Sequence, residues 1–339
     1  MSLPIGESRG RGAALKLALG LVISALFLYA LLAAVPLGKV LEALAAARGE
    51  WIAGALLAIA SGYALKIVRW TMMLRSLGAA PRVGQAATAF LGAVAFNNVL
   101  PFRAGDVLRV VAFERLTGVP PSGQVGTLIL ERLLDLLVLM TILFASLTFW
   151  HADVLDETLL GGLRIAAAAT AAAILLFIAA PRPLKRIVRW SEARLPRLRG
   201  VGEALLRLSD AVRALSRPTF LLKATALSLV AWLFEGAAFY AVGRALGVAA
   251  SPEAALLALG VGTLSTIIPS SPGYVGTFHY FTAKVIAGFG ATSAAAAAYA
   301  ILIHALLWLS TTASGFLLLA LSGFGGRRTL VPSRAGASE

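Results

Sequence analysis

The side chains best suited to chemistry lie between residues 97 and 135, inside a long apolar part of the sequence. The segment from Asn97 to Arg109 contains two amides, a proline, a glycine and three charges. An isolated charge at the centre of a bilayer costs about 2.5–3.5 kcal/mol, and irregular backbone at that depth is tolerated only where protein or a water-filled cavity surrounds it. We therefore predict that this segment is the tip of a re-entrant helical hairpin that lines a polar cavity.

The charges around this tip balance in sign. Exposing half of them to lipid would cost about 12 kcal/mol, which is comparable to the stability of a whole domain. They must therefore pair, face water or bind a ligand. Arg132 can reach Asp135 one helical turn away. The four positive and four negative residues are Arg103, Arg109, Arg115 and Arg132 against Asp106, Glu114, Glu131 and Asp135.

Two interpretations of these charges remain open. In the structural one, the hairpin arginines pair with carboxylates of the next span and fasten the hairpin to it. In the functional one, an arginine stays available for an anionic group, because guanidinium matches phosphate oxygens bidentately. Arg103 is the first candidate and Arg109 the second. The candidate substrate-binding residues of this region are Asn97, Asn98, Arg103, Asp106, Arg109, Glu131, Arg132 and Asp135.

A second break in the apolar pattern follows the same plan. An offset of 168 residues aligns Pro101 with Pro269 and Gly105 with Gly273. Hydroxyl groups and free backbone N–H groups at a broken helix suit a phosphate or a sugar. We expect Glu235 to pair with Lys284, and leave open whether the histidines are packed hydrogen-bonding residues or a proton relay. The candidate substrate-binding residues here are Ser270, Ser271, Gly273, Tyr274, His279 and Lys284, with His304 nearby in the last span.

Composition indicates an integral membrane protein. The 339 residues are 59% hydrophobic and 14% charged, whereas soluble proteins are about 25% charged. The apolar runs show no alternation of period two, so they are helices and not barrel strands. The net charge of +14 is explained by basic cytoplasmic loops, which makes a nucleic-acid partner unnecessary. The lack of cysteine excludes disulfides and cysteine-based metal sites.

The fold predicted is an all-α integral membrane protein with about six full transmembrane helices and two re-entrant hairpins. The first span could also be a cleaved signal peptide, although its length favours a retained helix. We expect Lys66, Arg69 and Arg75 to snorkel toward the cytoplasmic interface, and residues 201–215 to form an amphipathic helix facing anionic lipid. The spans are predicted at about 13–35, 51–69, 125–149, 159–180, 224–246 and 293–321.

The topology predicted is an inverted repeat. Residues 181–223 contain eleven lysines and arginines against three acids, which places this loop in the cytoplasm. Three full spans separate the two breaks, so the hairpins enter from opposite sides, as in transporters with a midplane substrate site. The predicted divisions are a cytoplasmic N-terminus 1–12, a transmembrane domain 13–322 with repeat halves 51–149 and 224–321, and a cytoplasmic tail 323–339.

The motif Asn98-x-x-Pro101-x-Arg103-x-Gly105-Asp106-x-x-Arg109 is followed by Glu131-Arg132-x-x-Asp135 and Pro269-x-x-Pro272-Gly273-x-x-Gly276. This set resembles the lysylphosphatidylglycerol synthase transmembrane-domain family, also called the flippase-like domain family, over about residues 13–322. The resemblance implies transport of a lipid headgroup across the bilayer. About 17 residues follow the last span, so the synthase activity of the full-length members is not carried over. Other members are linked to glycolipid, polyprenyl-lipid or hopanoid pathways.

Three classes of function remain open. The first is a lipid translocase in the cell inner membrane, acting on an anionic phospholipid or a lipid-linked sugar. The sequence contains no ATP-binding G-x-x-x-x-G-K-[S/T] loop, so we expect such transport to be downhill or ion-coupled and not driven directly by ATP. The second is a membrane enzyme or an accessory subunit in glycolipid synthesis, in which Glu131 and Asp135 hold a cation or act as acid and base. The third is a scaffold. We expect no cofactor and no metal, and a homodimer or a lipid-modifying enzyme as protein partner.

Overall fold

The computed structural model of this protein describes residues 6–33, 35–150, 157–194, 199–248, 251–268 and 270–323. Throughout these residues the regular secondary structure is helical, without a strand. Pro269, predicted as the second break, lies outside the described residues, as do most of the predicted C-terminal tail and the first five residues. The architecture is therefore all-α, as the apolar runs predict.

The described helices follow one another with short connections. Two 3-10 turns, Pro101–Arg103 and Pro272–Tyr274, interrupt the chain at the two predicted tips. The helices are α1 Gly6–Leu32, α2 Leu37–Ala45, α3 Gly49–Ser76, α4 Val83–Val99, α5 Ala104–Ala112, α6 Glu114–Thr117, α7 Pro121–Trp150, α8 Glu157–Ala179, α9 Pro181–Arg194, α10 Arg199–Leu215, α11 Pro218–Ala245, α12 Pro252–Ser265, α13 Thr277–Gly288 and α14 Ser293–Leu321.

Several helices are long and apolar enough to cross a membrane. Among the described residues these are α3, α11 and α14, and the number rises to five if the bent pairs α1–α2 and α8–α9 each form one span. The 30-residue α7 is about 45 Å long at 1.5 Å per residue, and it carries the charges Glu131, Arg132 and Asp135. The protein is a multi-pass membrane protein of three to five candidate spans by these criteria, against the six predicted.

Small residues let the central helices approach closely. A Cβ added at Gly62 of α3 would lie 3.0 Å from the carbonyl oxygen of Ala231 in α11. A Cβ added at Gly315 of α14 would overlap the backbone of Leu91 in α4. Glycine and alanine at helix contacts are the usual means of tight packing inside a membrane, where dispersion and hydrogen bonds hold helices together.

Each tip turns the chain back on itself. At the first, Phe102 and Arg103 adopt left-handed backbone conformations with φ of 59° and 54°, and α5 then packs against α4. At the second, Gly273 and Tyr274 have φ of 71° and 60°, and α13 returns against α12. Left-handed conformations cost about 1–3 kcal/mol for residues with a Cβ, so the surrounding contacts must impose them.

Gly105 lets the two helices of the first hairpin approach closely, so we can predict the effect of adding a side chain at this position. A Cβ at Gly105 would overlap the carbonyl oxygen of Ala93 on the facing helix. We expect Gly105→Ala to destabilise the protein by about 1–3 kcal/mol, the usual cost of overpacking, seen as a lower melting temperature in detergent. Gly84→Ala is the matched control, because a Cβ there meets nothing within 4 Å. Equal melting temperatures for the two variants would contradict the close approach.

Two sequence predictions about surface groups are wrong. Lys66 and Arg69 do not snorkel, because they are 7% and 1% exposed and lie inside the helix bundle. The amphipathic helix α10 does form, but Leu215 and Val212 on its apolar face are buried in the protein core instead of facing lipid. In both cases neighbouring helices offer a better partner than the membrane surface: α11 for Lys66, α7 and α11 for Arg69, and α7 for α10.

Candidate functional site

A cavity of about 420 Å³ lies between the two tips. Its walls come from both hairpins and from the long helices α3, α7, α11 and α14, so residues far apart in sequence face each other. Aromatic, hydroxyl, amide and charged side chains all contribute. The lining residues are Tyr63, Lys66, Val94, Asn97, Asn98, Arg103, Arg132, Asp135, Leu136, Leu139, Trp232, Glu235, Thr263, Leu264, Thr266, Ile267, Gly273, Tyr274, Phe278, His304, Leu307, Trp308 and Thr311.

The first tip places two arginines on one carboxylate. Arg132 Nη2 donates to both oxygens of Asp106 at 3.0 and 2.9 Å, and Arg103 Nε donates to Oδ2 of the same residue at 3.1 Å. The Asn97 amide donates to Asp106 Oδ1 at 2.9 Å and accepts the Asp106 backbone N–H at 3.1 Å. Asp106 is thus a hub that orients both arginines, whose side chains remain 44% and 40% exposed beside the cavity.

Arg109 and Glu131 form a separate, buried ion pair. The two guanidinium nitrogens each donate to one carboxylate oxygen at 3.2 Å, and both side chains are 3% exposed. The guanidinium also lies over the rings of Trp70 and Phe90, at 5.0 and 5.5 Å from their centroids. This pair joins α5 to α7, as the structural interpretation predicts, and neither residue lines the cavity.

A second buried pair was not foreseen from the sequence. Arg69 Nη1 donates to Asp135 Oδ1 at 2.6 Å and to Ser228 at 2.5 Å. Asp135 also accepts the indole N–H of Trp232 at 3.2 Å. The expected intrahelical partner of Asp135, Arg132, is instead turned toward Asp106. The pair therefore ties α3 to α7 and α11.

Glu235 pairs with Lys66 and not with Lys284, so that prediction is wrong. The Lys66 Nζ to Glu235 Oε1 distance is 2.5 Å, and the ammonium lies 3.8 Å from the centroid of the Trp232 ring. Lys284 is exposed on α13, over the ring of Tyr280. The spacing of Gly62, Lys66 and Arg69 contained a usable signal, since these residues lie near one face of α3 and the glycine marks a close helix contact.

The second tip contributes less to the cavity than the first. Gly273 and Tyr274 line it, whereas Ser270 and Ser271 lie against α1, where the Ser271 N–H donates to Ser24 Oγ at 2.7 Å. His279 is buried and accepts the Gly276 N–H at 3.3 Å, at the start of α13. It does not line the cavity.

Helix α14 joins the two tips across the cavity. The Asn98 side-chain amide donates to Thr311 and Thr312 at 3.0 and 2.9 Å. The indole of Trp308 donates to the Asn98 carbonyl at 3.2 Å, and His304 Nε2 donates to the Gly273 carbonyl at 2.7 Å. Trp308 and His304 thus each satisfy a backbone carbonyl next to a tip, while Thr311 and Thr312 hold the side chain of Asn98.

The charges of the site do not cancel. Lys66, Arg69 and Arg109 each have a carboxylate of their own, whereas Arg103 and Arg132 share Asp106. Among the described residues of the site, one positive charge is therefore left over, and it lies on the two arginines that border the cavity. An arrangement of this kind can hold an anion such as a phosphate.

Two similarities to known proteins bear on this site. The family described as Lysylphosphatidylglycerol synthase TM region matches residues 17–315, which include both tips and every helix that lines the cavity. The chain is also 27% identical over 320 residues to "Glycosyltransferase AglD" of Haloferax volcanii, in an alignment that covers 84% of this chain and 51% of that protein. The chain thus spans about half the length of this relative.

Proposed function

Because this chain belongs to the lysylphosphatidylglycerol synthase transmembrane-region family, we propose that it moves an anionic lipid headgroup between the leaflets of the membrane. The observation that carries this proposal is the pair of arginines, Arg103 and Arg132, that share the single carboxylate of Asp106 beside a cavity. Their excess positive charge suits a lipid phosphate, which an anionic phospholipid and a lipid-linked sugar have in common.

The cavity would replace the hydration shell of the headgroup during transfer. Arg103 and Arg132, which both line the cavity, hold the phosphate. Tyr274 approaches from the opposite tip. The hydrocarbon chains stay in apolar surroundings throughout, so only the polar part of the lipid must be shielded from hydrocarbon, where an unpaired charge costs several kcal/mol.

The pairing of helices supports a two-fold repeat with re-entrant hairpins. Helix α3 packs on α11, its counterpart in the other half. Helix α4 packs on α5 and α14, and the equivalent α12 packs on α13 and α7. These are the contacts expected if residues 51–149 and 224–321 are inverted copies around a midplane site. We place the protein in the inner membrane with both termini and the basic segment 181–223 in the cytoplasm.

Translocation in reconstituted vesicles tests the proposal. We expect the full chain to move phosphatidylglycerol labelled on its headgroup from the inner to the outer leaflet, measured by quenching with a reagent that cannot cross the bilayer. Arg103→Ala should slow this transfer about tenfold or more, since a hydrogen bond to a charged group contributes about 1.5–3 kcal/mol.

Arg115→Ala is the matched control, because Arg115 is an exposed arginine of the same region that does not line the cavity. It should transfer lipid at the wild-type rate. Equal rates for wild type, Arg103→Ala and vesicles without protein would overturn the proposal.

A second candidate function is an accessory or catalytic role in the synthesis of a glycolipid or polyprenyl-linked lipid, which the name of the Haloferax volcanii relative favours. Neither Glu131 nor Asp135 offers a free carboxylate for acid–base chemistry, because each is ion-paired. No group of three His, Cys, Asp or Glu residues in the described part of the chain could hold a metal ion. A transferase that co-purifies with the protein, whether the protein is a monomer or a homodimer in that complex, would favour the accessory role.

A further inference from the structure

An apolar groove adjoins the central cavity along α7 and α8. One part of it, of about 440 Å³, shares Leu136, Leu264 and Ile267 with the central cavity. A further part, of about 420 Å³, shares Met140 and Thr170 with the first. Together these two parts, called here the α7–α8 groove, extend from the polar cavity over the outer wall formed by the two helices.

The groove exists because the small side chains of α8 face large side chains of α7. Its wall on α8 is largely alanine, including Ala166, Ala169 and Ala173, opposite Leu136 and Met140 of α7. An alanine cannot fill the space that a leucine would fill, so the helices leave a channel between them. A wall of this composition offers dispersion contacts and almost nothing else.

The two hydroxyl groups in the wall are already satisfied. Thr141 donates to the Leu137 carbonyl at 2.8 Å, and Thr170 donates to the Ala166 carbonyl at 2.7 Å, each within its own helix. With these hydroxyls bonded internally and the remaining lining apolar, the groove can hold hydrocarbon but has little affinity for a sugar or a phosphate.

We propose that the α7–α8 groove binds one acyl chain of the lipid whose phosphate lies between Arg103 and Arg132. This proposal rests on the proposed function and names its substrate as a phospholipid, not a free phosphate or a soluble sugar phosphate. The groove begins at Leu133, directly after Arg132. Headgroup and chain would therefore occupy neighbouring positions along one helix.

The length of the groove fits an acyl chain. On α7 its lining runs from Leu133 to Ala145, which is about 18 Å at 1.5 Å per residue. Half of the hydrocarbon core of a bilayer is about 15 Å. A chain that reaches from the arginines to the end of the groove thus has the length of a chain in one leaflet, and it lies along a helix that is itself long enough to cross the membrane.

Photo-crosslinking tests this assignment. The full chain is reconstituted in phosphatidylcholine vesicles with phosphatidylglycerol that carries a diazirine on one acyl chain. We expect the label to concentrate on the peptides of α7 and α8 that contain Met140 and Thr170. Ala173→Trp and Ala169→Trp should each lower this label about tenfold, the factor that corresponds to two methylene groups removed from apolar contact.

Matched controls lie one residue away on the same helix. Ala172→Trp and Ala168→Trp add the same side chain at exposed positions outside the groove, and should leave the labelling unchanged. Melting temperatures of all four variants identify any that misfold. Labelling spread evenly over the apolar helices, or unaffected by both groove variants, would overturn the groove assignment even if translocation proceeds. Labelling as expected without headgroup translocation would support the groove and contradict the proposed function.

Discussion

Replacing Asp135 with alanine is expected to destabilise the folded protein by about 3–5 kcal/mol, because it leaves the Arg69 guanidinium buried without a counter-ion. The Arg69 side chain is 1% exposed, and its Nη1 donates to Asp135 at 2.6 Å. The variant also removes the acceptor of the Trp232 indole N–H. Three helices, α3, α7 and α11, lose their common polar contact. The melting temperature in detergent measures the effect.

The control for this prediction is an ion pair at the surface. Glu203 and Arg207 are 3.5 Å apart, and their side chains are 63% and 55% exposed. Exposed pairs of this kind contribute about 0–1 kcal/mol, so Glu203→Ala should change the melting temperature little. The double variant Arg69→Leu/Asp135→Leu should be more stable than either single replacement, because apolar side chains can substitute for a whole buried pair. A melting temperature for Asp135→Ala equal to that of wild type would contradict the buried pair.

The double variant Arg103→Ala/Arg132→Ala is expected to lower headgroup translocation by about hundredfold or more, since each charged hydrogen bond contributes about 1.5–3 kcal/mol. It removes both cations that border the cavity and leaves Asp106 to repel an anionic headgroup. Stability should also fall, because Asp106, whose side chain is 14% exposed, loses both of its cations and keeps only the Asn97 side-chain amide as a donor. The vesicle assay and the melting temperature separate the two effects.

A charge-conserving variant sharpens this prediction. Arg103→Lys/Arg132→Lys keeps both positive charges but loses the planar fork that matches phosphate oxygens. Its rate should lie between wild type and the double alanine variant. A translocation rate for the double alanine variant within twofold of wild type would show that the excess charge plays no part in transfer.

The sequence was most informative at charged residues that lie within apolar segments. Isolated charges next to Pro101 and Gly105 predict a helical hairpin, and one of the two interpretations left open pairs its arginines with carboxylates of the next span. The structure contains the helical hairpin and the ion pair of Arg109 with Glu131, although Arg109 is also the second candidate for holding an anion. Such predictions succeed because a charge in hydrocarbon has few alternatives to pairing.

The sequence could not predict which oppositely charged residue each buried charge would pair with. Arg132 can reach Asp135 by helical spacing, yet it bonds Asp106, because the hairpin brings a second carboxylate closer in space. Glu235 lies far from Lys66 in sequence and meets it only because α3 packs on α11. The partner depends on how each helix is rotated about its axis. Tertiary packing sets this rotation, and the spacing of residues along the sequence does not determine it.

One helix holds both irregular tips, and this couples them. His304 bonds the carbonyl of Gly273, while Trp308 and Thr311 bond Asn98, so neither tip can shift without a response in the same two turns of α14. Trp308 is therefore a natural optical probe, because its indole bonds Asn98 and lies against Gly273. In a variant that lacks the other five tryptophans, its fluorescence emission would register a change in the separation of the tips.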